Sequence, residues 1–175
     1  MGYPRAMRIL EGHPRLRAFL FPPMDAAFLI RAAAVALFSA LFFGFVLRPF
    51  VVRGESMDPS YRDGTFHFLV KPSYLFSEPE RGDVVAVRLA GERVLLLKRV
   101  VALGGQEVSF RGGTLLVDGI AQEEPYVKGP CDWELPPRRV EEGKVYVVGD
   151  NRSVPMEQHD FGQVSVHRVV GRPLW

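Results

Sequence analysis

One apolar run constrains this chain more than any other feature. Residues Ala26–Leu47 read AAFLIRAAAVALFSALFFGFVL, 22 residues with a single charge, Arg31. At about 1.5 Å per residue, a helix of this length spans about 33 Å, close to the hydrocarbon thickness of a bilayer. Arg31 lies near the N-terminal end, where its stem can snorkel to the headgroups. A surface-packed helix would show a polar stripe, and this run is apolar all round. A cleavable leader would be shorter and would end in a small-x-small exit, which LRPFVV does not offer. The run therefore reads as a transmembrane anchor. Arg5, Arg8, Arg15, Arg17 and Arg31 flank its N-terminal side, against Arg48, Arg53 and Arg62 beyond it. That bias places the N-terminus in the cytoplasm. The expected organisation is a cytoplasmic segment 1–25, a membrane helix 26–48 and an extracytoplasmic domain 49–175.

Charge divides along the same line. Residues 1–48 hold six arginines against Glu11 and Asp25, and residues 49–175 hold sixteen Lys and Arg against eighteen Asp and Glu. A near-neutral main domain gives no support to a nucleic-acid partner. The single cysteine, Cys131, excludes an intramolecular disulfide framework and a Cys-rich zinc module.

After Leu47 the pattern changes to short β-rich runs: 66–70, 84–89, 93–101, 107–110, 114–117, 144–148 and 164–170. Turn signals such as RDG, RGD, LGG, RGG, VDG and EEG separate them. LFSEPERGD and CDWELPPRR read as surface loops. This spacing predicts an all-β domain, an antiparallel sandwich or small barrels.

Three polar positions stand out. Ser56 lies between Gly54 and Pro59, which give the backbone a tight, fixed path. Alone it reads as a turn residue. Lys98 lies inside the apolar run Val94–Val101, where a charged amine is costly to bury. Desolvation lowers a lysine pKa by as much as about 3–5 units, and a neutral amine can take a proton from a serine hydroxyl. Alone it reads as a strand-face lysine reaching to water. Gly149-Asp150-Asn151-Arg152 follows the run Val145–Val148 and reads either as a turn or as a polar loop bracing a site. Arg81-Gly82-Asp83 reads as a strand-entry turn in which Asp83 orders the backbone.

Together these segments resemble the type I signal peptidases (leader peptidases), membrane-anchored serine–lysine endopeptidases. Gly54-Glu55-Ser56-Met57-Asp58-Pro59-Ser60-Tyr61 resembles the nucleophile box, and Arg81–Val85 the box that follows. Lys98-Arg99-Val100-Val101-Ala102-Leu103-Gly104-Gly105 resembles the lysine box. Gly149–Arg152, with Phe161-Gly162 beyond, resembles the last box. The resemblance covers residues 30–172 in the family's order.

It implies Ser56 as nucleophile and Lys98 as general base, acting through an acyl-enzyme with no metal or cofactor. Gly54, Met57, Arg99, Asp150 and Asn151 would be the supporting and oxyanion-hole residues. The partners would be preprotein signal peptides, cut after small side chains, and the lipid bilayer. The location would be a cell (inner or cytoplasmic) membrane, with organelle membranes an open alternative. The alternative activity is an inactive or single-substrate relative that binds extended peptides.

Two departures from the family pattern are visible. Gly54 stands where many members have a serine, as glycine does in others. By counting, Pro155 replaces a lysine-orienting serine, Glu157 an aspartate and His159 an arginine. Two substitutes are expected: a Glu157–His159 pair bracing the loop, and Ser153 or a water orienting Lys98. Glu157, His159 and Asp160 lack the companions that a metal site needs. His13, His67 and His167 read as surface or packing residues. The aromatic stretch 66–76 reads as core, with membrane-surface contact as its functional alternative.

Overall fold

A computed structural model describes residues 24–74, 77–88 and 95–174. The chain divides into two compact units, residues 1–43 and 44–175. One helix, α1 (Ala26–Phe45), has a mean hydropathy of 2.1 and is long and apolar enough to cross a membrane. It contains no buried residue. Asp25 caps it, its carboxylate accepting the Phe28 N–H at 2.7 Å. Leu47 and Arg48, continuous with the apolar run in sequence, belong instead to the first strand. The cationic flank Arg5–Arg17 and His13 lie outside the described residues.

Beyond α1 the described residues form eleven strands and three short 3₁₀ turns. The strands are β1 (Leu47–Val51), β2 (Phe66–Val70), β3 (Val84–Arg88), β4 (Leu95–Leu103), β5 (Glu107–Arg111) and β6 (Thr114–Val117). They continue with β7 (Ile120–Ala121), β8 (Leu135–Arg139), β9 (Lys144–Val148), β10 (Gly162–Ser165) and β11 (Val169–Pro173). Seven of them make one sheet in the order β1-β2-β11-β3-β4-β9-β10, and four make a second in the order β7-β6-β5-β8. Every pairing is antiparallel, as the sequence led us to expect.

β-Branched side chains explain the centre of the large sheet, since VVAVR and KVYVV suit a pleated, buried surface. The hairpins of the small sheet follow from two-residue turns that need positive φ at both positions. Gly112-Gly113 (φ 52° and 77°) joins β5 to β6, and Asp118-Gly119 (φ 51° and 76°) joins β6 to β7. A side chain at Gly113 would also collide with the Cys131 carbonyl.

Three differences from the sequence reading have physical causes. β1 hides behind the membrane run, because Leu47 and Val51 look like its continuation. β8 occupies part of the expected loop CDWELPPRR. It is an edge strand, where Pro136 and Pro137 need give no hydrogen bond to a further neighbour. The run 164–170, expected as one strand, is broken by a 3₁₀ turn at Val166–Arg168. Its first part pairs with β9, and its second enters the sheet between β2 and β3. One straight strand cannot serve both places.

Two apolar clusters result. Val85, Val87, Val100, Val145 and Val147 fill one side of the large sheet. The other cluster joins the sheets through Val101, Tyr146 and Val148 on one hand and Val108, Phe110 and Trp133 on the other. Trp133 is 2% exposed and donates its indole N–H to the Val154 carbonyl at 2.9 Å. Its ring meets Phe110, His159 and Phe161. In the 66–76 stretch Leu69 is buried, while Phe66 is 55% exposed. Trp133→Ala is expected to cost about 3–5 kcal/mol, the usual range for a buried aromatic; denaturant midpoints of the detergent-solubilised chain check it.

Candidate functional site

Residues 149–152 continue directly from β9, which pairs with β4 from Arg99↔Val148 onward. The register therefore places Gly149-Asp150-Asn151-Arg152 beside the middle of β4. Lys98 and Arg99 occupy that middle, Lys98 opposite Val85 and Arg99 opposite Val84.

Arg99 and Asp150 form a forked ion pair. The guanidinium donates from Nε to Oδ1 at 2.8 Å and from Nη2 to Oδ2 at 2.6 Å. A third donor, Nη1, reaches the Gly82 carbonyl at 2.7 Å, tying in the Arg81-Gly82-Asp83 turn. Burial works against the Arg99 charge. The Asp150 hydrogen bonds and negative charge outweigh it and hold the guanidinium above its ordinary pKa. Asp83 orders its own turn, its carboxylate accepting the Glu80 N–H and the Tyr74 hydroxyl.

This loop is the seat of Ser56. The Asn151 N–H donates to the Ser56 carbonyl at 3.0 Å, and Asn151 Nδ2 donates to the Glu55 carbonyl at 3.1 Å. The Ser56 carbonyl lies so close to Gly149 that a Cβ there would collide with it. Met57 is 1% exposed and anchors the turn from below. Gly54 has φ 87°, and its N–H donates to Asp63 Oδ1 at 2.8 Å, holding the other end. The segments carrying Ser56, Arg99, Asp150 and Asn151, distant in sequence, thus meet, and Lys98 adjoins them on β4.

Lys98 is 3% exposed. Among the described residues its amine makes neither a hydrogen bond nor an ion pair, and the Ser56 hydroxyl likewise makes no hydrogen bond. Burial pulls the Lys98 pKa below its ordinary value, against the opposing charges of Asp160 and Asp150. At 3% exposure, Lys98 is not the open strand-face lysine that the sequence alone suggests.

Neither the expected Glu157–His159 pair nor a Ser153 contact to Lys98 forms. Glu157 is exposed and does not pair with His159. The His159 ring packs edge-on to Trp133 with centroids 4.7 Å apart, and both its nitrogens are buried without a partner. Burial, then the charges of Lys98 and Arg152, push its pKa down. Ser153 turns away from Lys98 and donates to the Lys128 carbonyl at 3.4 Å. Pro155 is exposed at the start of a 3₁₀ turn. His67 shares a hydrogen bond with Thr65, and His167 is exposed. Among the described residues no group of His, Cys, Asp and Glu side chains could hold a metal ion.

Sequence reasoning missed Glu124, Tyr126 and the burial of Arg152. The Tyr126 ring lies under the Arg99 guanidinium at 3.8 Å. Arg152, 1% exposed, forks onto Glu124 at 2.6 and 3.0 Å. The sequence offers no pattern that would single out Glu124 or Tyr126.

A groove of about 210 Å³, mostly apolar, is walled by Arg48, Phe50, Leu69, Ala86, Leu95 and Leu97. β4 pairs with β3 along Leu95–Arg99, but β9 joins only from Arg99. Among the described residues, the other backbone edge of Leu95–Lys98 has no strand partner. β1 is also an edge strand.

Because Lys98 is depressed, the unfolded chain binds more protons than the fold between the depressed value and the ordinary lysine value. Stability therefore rises with pH across that window. Lys98→Met is expected to remove this slope and to raise Tm at neutral pH, by about 2–4 °C per kcal/mol relieved. Melting curves across pH check it. Gly149→Ala is expected to shift the Ser56 turn and loosen the Asn151 N–H, seen as faster amide exchange there.

Comparison with known proteins places the chain in a family. The family model described as "Signal peptidase, peptidase S26" matches residues 26–175. Signal peptidase I of Bacillus licheniformis is 31% identical over 81% of this chain and 83% of its own length. Thylakoidal processing peptidase 1 of Arabidopsis thaliana is 32% identical over 78% of this chain, and the match spans 44% of that protein. A crystal structure of a signal peptidase I from Enterococcus faecalis V583 aligns with a TM-score of 0.45 and 26% identity, over 55% of this chain and 97% of that one. The chain spans less than half the length of the two thylakoidal processing peptidases of Arabidopsis thaliana that it matches; by the extent of the family match, it belongs to the peptidase S26 family of signal peptidases.

Proposed function

We propose that the chain is a membrane-anchored endopeptidase that removes signal peptides from preproteins with a Ser56–Lys98 dyad. The observation that carries this reading is Lys98, 3% exposed and without a hydrogen bond or ion pair among the described residues, on the strand beside the loop that seats Ser56. A lysine held this way loses its charge readily, and a neutral amine is the group that can activate a hydroxyl.

The steps follow from the residues. Neutral Lys98 takes the Ser56 proton as Oγ attacks the scissile carbonyl. The oxyanion is met by the Ser56 N–H, which makes no hydrogen bond within the fold among the described residues. The ammonium then gives its proton to the departing amine, leaving an acyl-enzyme. Lys98, neutral again, takes a proton from water, which releases the signal peptide and restores the Ser56 hydroxyl. The reacting groups need contact at about 2.6–3.2 Å, and such hydrogen bonds often tighten only around substrate.

The substrate would lie extended between the free backbone edges of β1 and Leu95–Lys98, taking main-chain hydrogen bonds as an added strand. The groove walled by Phe50, Ala86, Leu95 and Leu97 suits small apolar side chains. α1 would anchor the chain, with the N-terminus cytoplasmic and residues 49–175 outside a cell membrane. Residues 1–25, 26–48 and 49–175 would be the functional divisions.

A second reading, a peptide-binding relative that does not cut, draws on one observation: among the described residues no side chain hydrogen-bonds or ion-pairs with the Lys98 amine. Ser56→Ala and Lys98→Ala separate the two. Both are expected to lower preprotein cleavage by at least about 10³-fold while leaving the fold intact. Wild-type cleavage should fall with decreasing pH as Lys98 takes up its proton, with products mapped by mass spectrometry. A wild-type chain that binds preprotein and releases no product would leave only the binding reading.

A further inference from the structure

We infer that Tyr126 and Glu124 are positioning residues for Ser56, acting through a closed ring of polar contacts behind the site. This rests on the proposed peptidase reading and names residues that reading does not use.

The ring can be walked atom by atom. Asp150 holds Arg99 by two hydrogen bonds, at 2.8 and 2.6 Å. Arg99 lies over the face of Tyr126 at 3.8 Å. The Tyr126 hydroxyl donates to Glu124 Oε1 at 2.7 Å. Glu124 holds Arg152 by two hydrogen bonds, at 3.0 and 2.6 Å. Arg152 Nε donates to the Gly149 carbonyl at 2.8 Å, and the next residue is Asp150. The segment that closes the ring is therefore 149–152, the seat of Ser56.

The ring is balanced in charge, with two arginines and two carboxylates. Asp150 and Arg152 are almost wholly buried, and the Glu124 side chain is 10% exposed. In such surroundings polar contacts strengthen one another, and removing one member leaves a costly unpaired group. The aromatic face fixes the plane of the Arg99 fork, which a flexible apolar side chain could not do. Glu124 and Tyr126 lie in the loop after β7, outside both sheets, and their side-chain hydrogen bonds and ion pair go to each other and to the ring. Tyr126 is not a proton carrier here. Burial, then Glu124, raises its pKa, and its hydroxyl proton is already committed to Glu124.

The test uses the full chain in detergent. Tyr126→Leu removes the ring face, and Tyr126→Phe keeps it. We expect Tyr126→Leu to lower kcat by about 10²-fold, with KM within twofold, as a small misplacement of a nucleophile does. Tyr126→Phe, which keeps the ring face and loses the bond to Glu124, should recover part of that loss. In parallel, amide exchange at Asn151 should speed at least about tenfold in Tyr126→Leu, with β5 and β6 unchanged. Should Tyr126→Leu fail to fold, Glu124→Gln carries the same two measurements. Unchanged Asn151 exchange overturns the inference, as does a loss of protection shared equally by β5 and β6. A wild type that cleaves, beside a Tyr126→Leu variant with equal kcat, also overturns it. A wild type that cleaves nothing removes the peptidase reading instead, and Asn151 exchange still decides the role of the ring.

Discussion

The Asp150 carboxylate is fully buried, and everything around the site is arranged to hold its charge. An isolated carboxylate in such a place would cost several kcal/mol. The Arg99 fork offsets that cost and in doing so fixes where the loop after β9 must lie. Asn151 and Gly149 then fix the backbone of Ser56. Two neighbouring cations on one strand meet opposite fates. Arg99 is given a partner and keeps its charge; Lys98 has none among the described residues, and burial lowers its pKa. Alternation along a β-strand makes this possible, since adjacent side chains face opposite sides of the sheet.

The last box departs from the family pattern in a way that is local. Pro155, Glu157 and His159 alter the chain after the ring has closed at Arg152. The seat of Ser56 therefore remains whole. What the changes replace is the surroundings of the Lys98 amine, where His159 supplies an unpartnered imidazole wedged against Trp133. The loop stays in place because Trp133 holds the Val154 carbonyl and packs against Phe161.

Legibility in the sequence followed the range of the interaction. β2, β6 and β9 were readable residue for residue, because alternation and turn residues are local signals. β1 was masked by hydrophobicity that belongs to α1. β8 was masked by two prolines that only an edge position permits. Ser56, Lys98 and the Gly149–Arg152 loop were readable as segments, and their meeting was implied only by resemblance. Glu124 and Tyr126 were unreadable, because their partners lie 28 and 27 residues away and no periodicity marks a loop residue that matters. The burial of Lys98 depended on which face of β4 is covered, a fact that belongs to the assembled sheet.

β11 has a consequence for how this domain comes into being. It is the last strand in chain order, yet it lies between β2 and β3 near the middle of the seven-stranded sheet. Until residues 169–173 are delivered, the β1–β2 hairpin has no strand pairing to the rest of the large sheet, and the Asn151 contacts to the Glu55 and Ser56 carbonyls are what tie it to the loop after β9. A chain threaded out from its N-terminus would therefore present the Ser56 segment and the Lys98 strand before the sheet between them is complete. On this topology the seven-stranded sheet, and with it the frame around the proposed dyad, is completed only once β11 has taken its place.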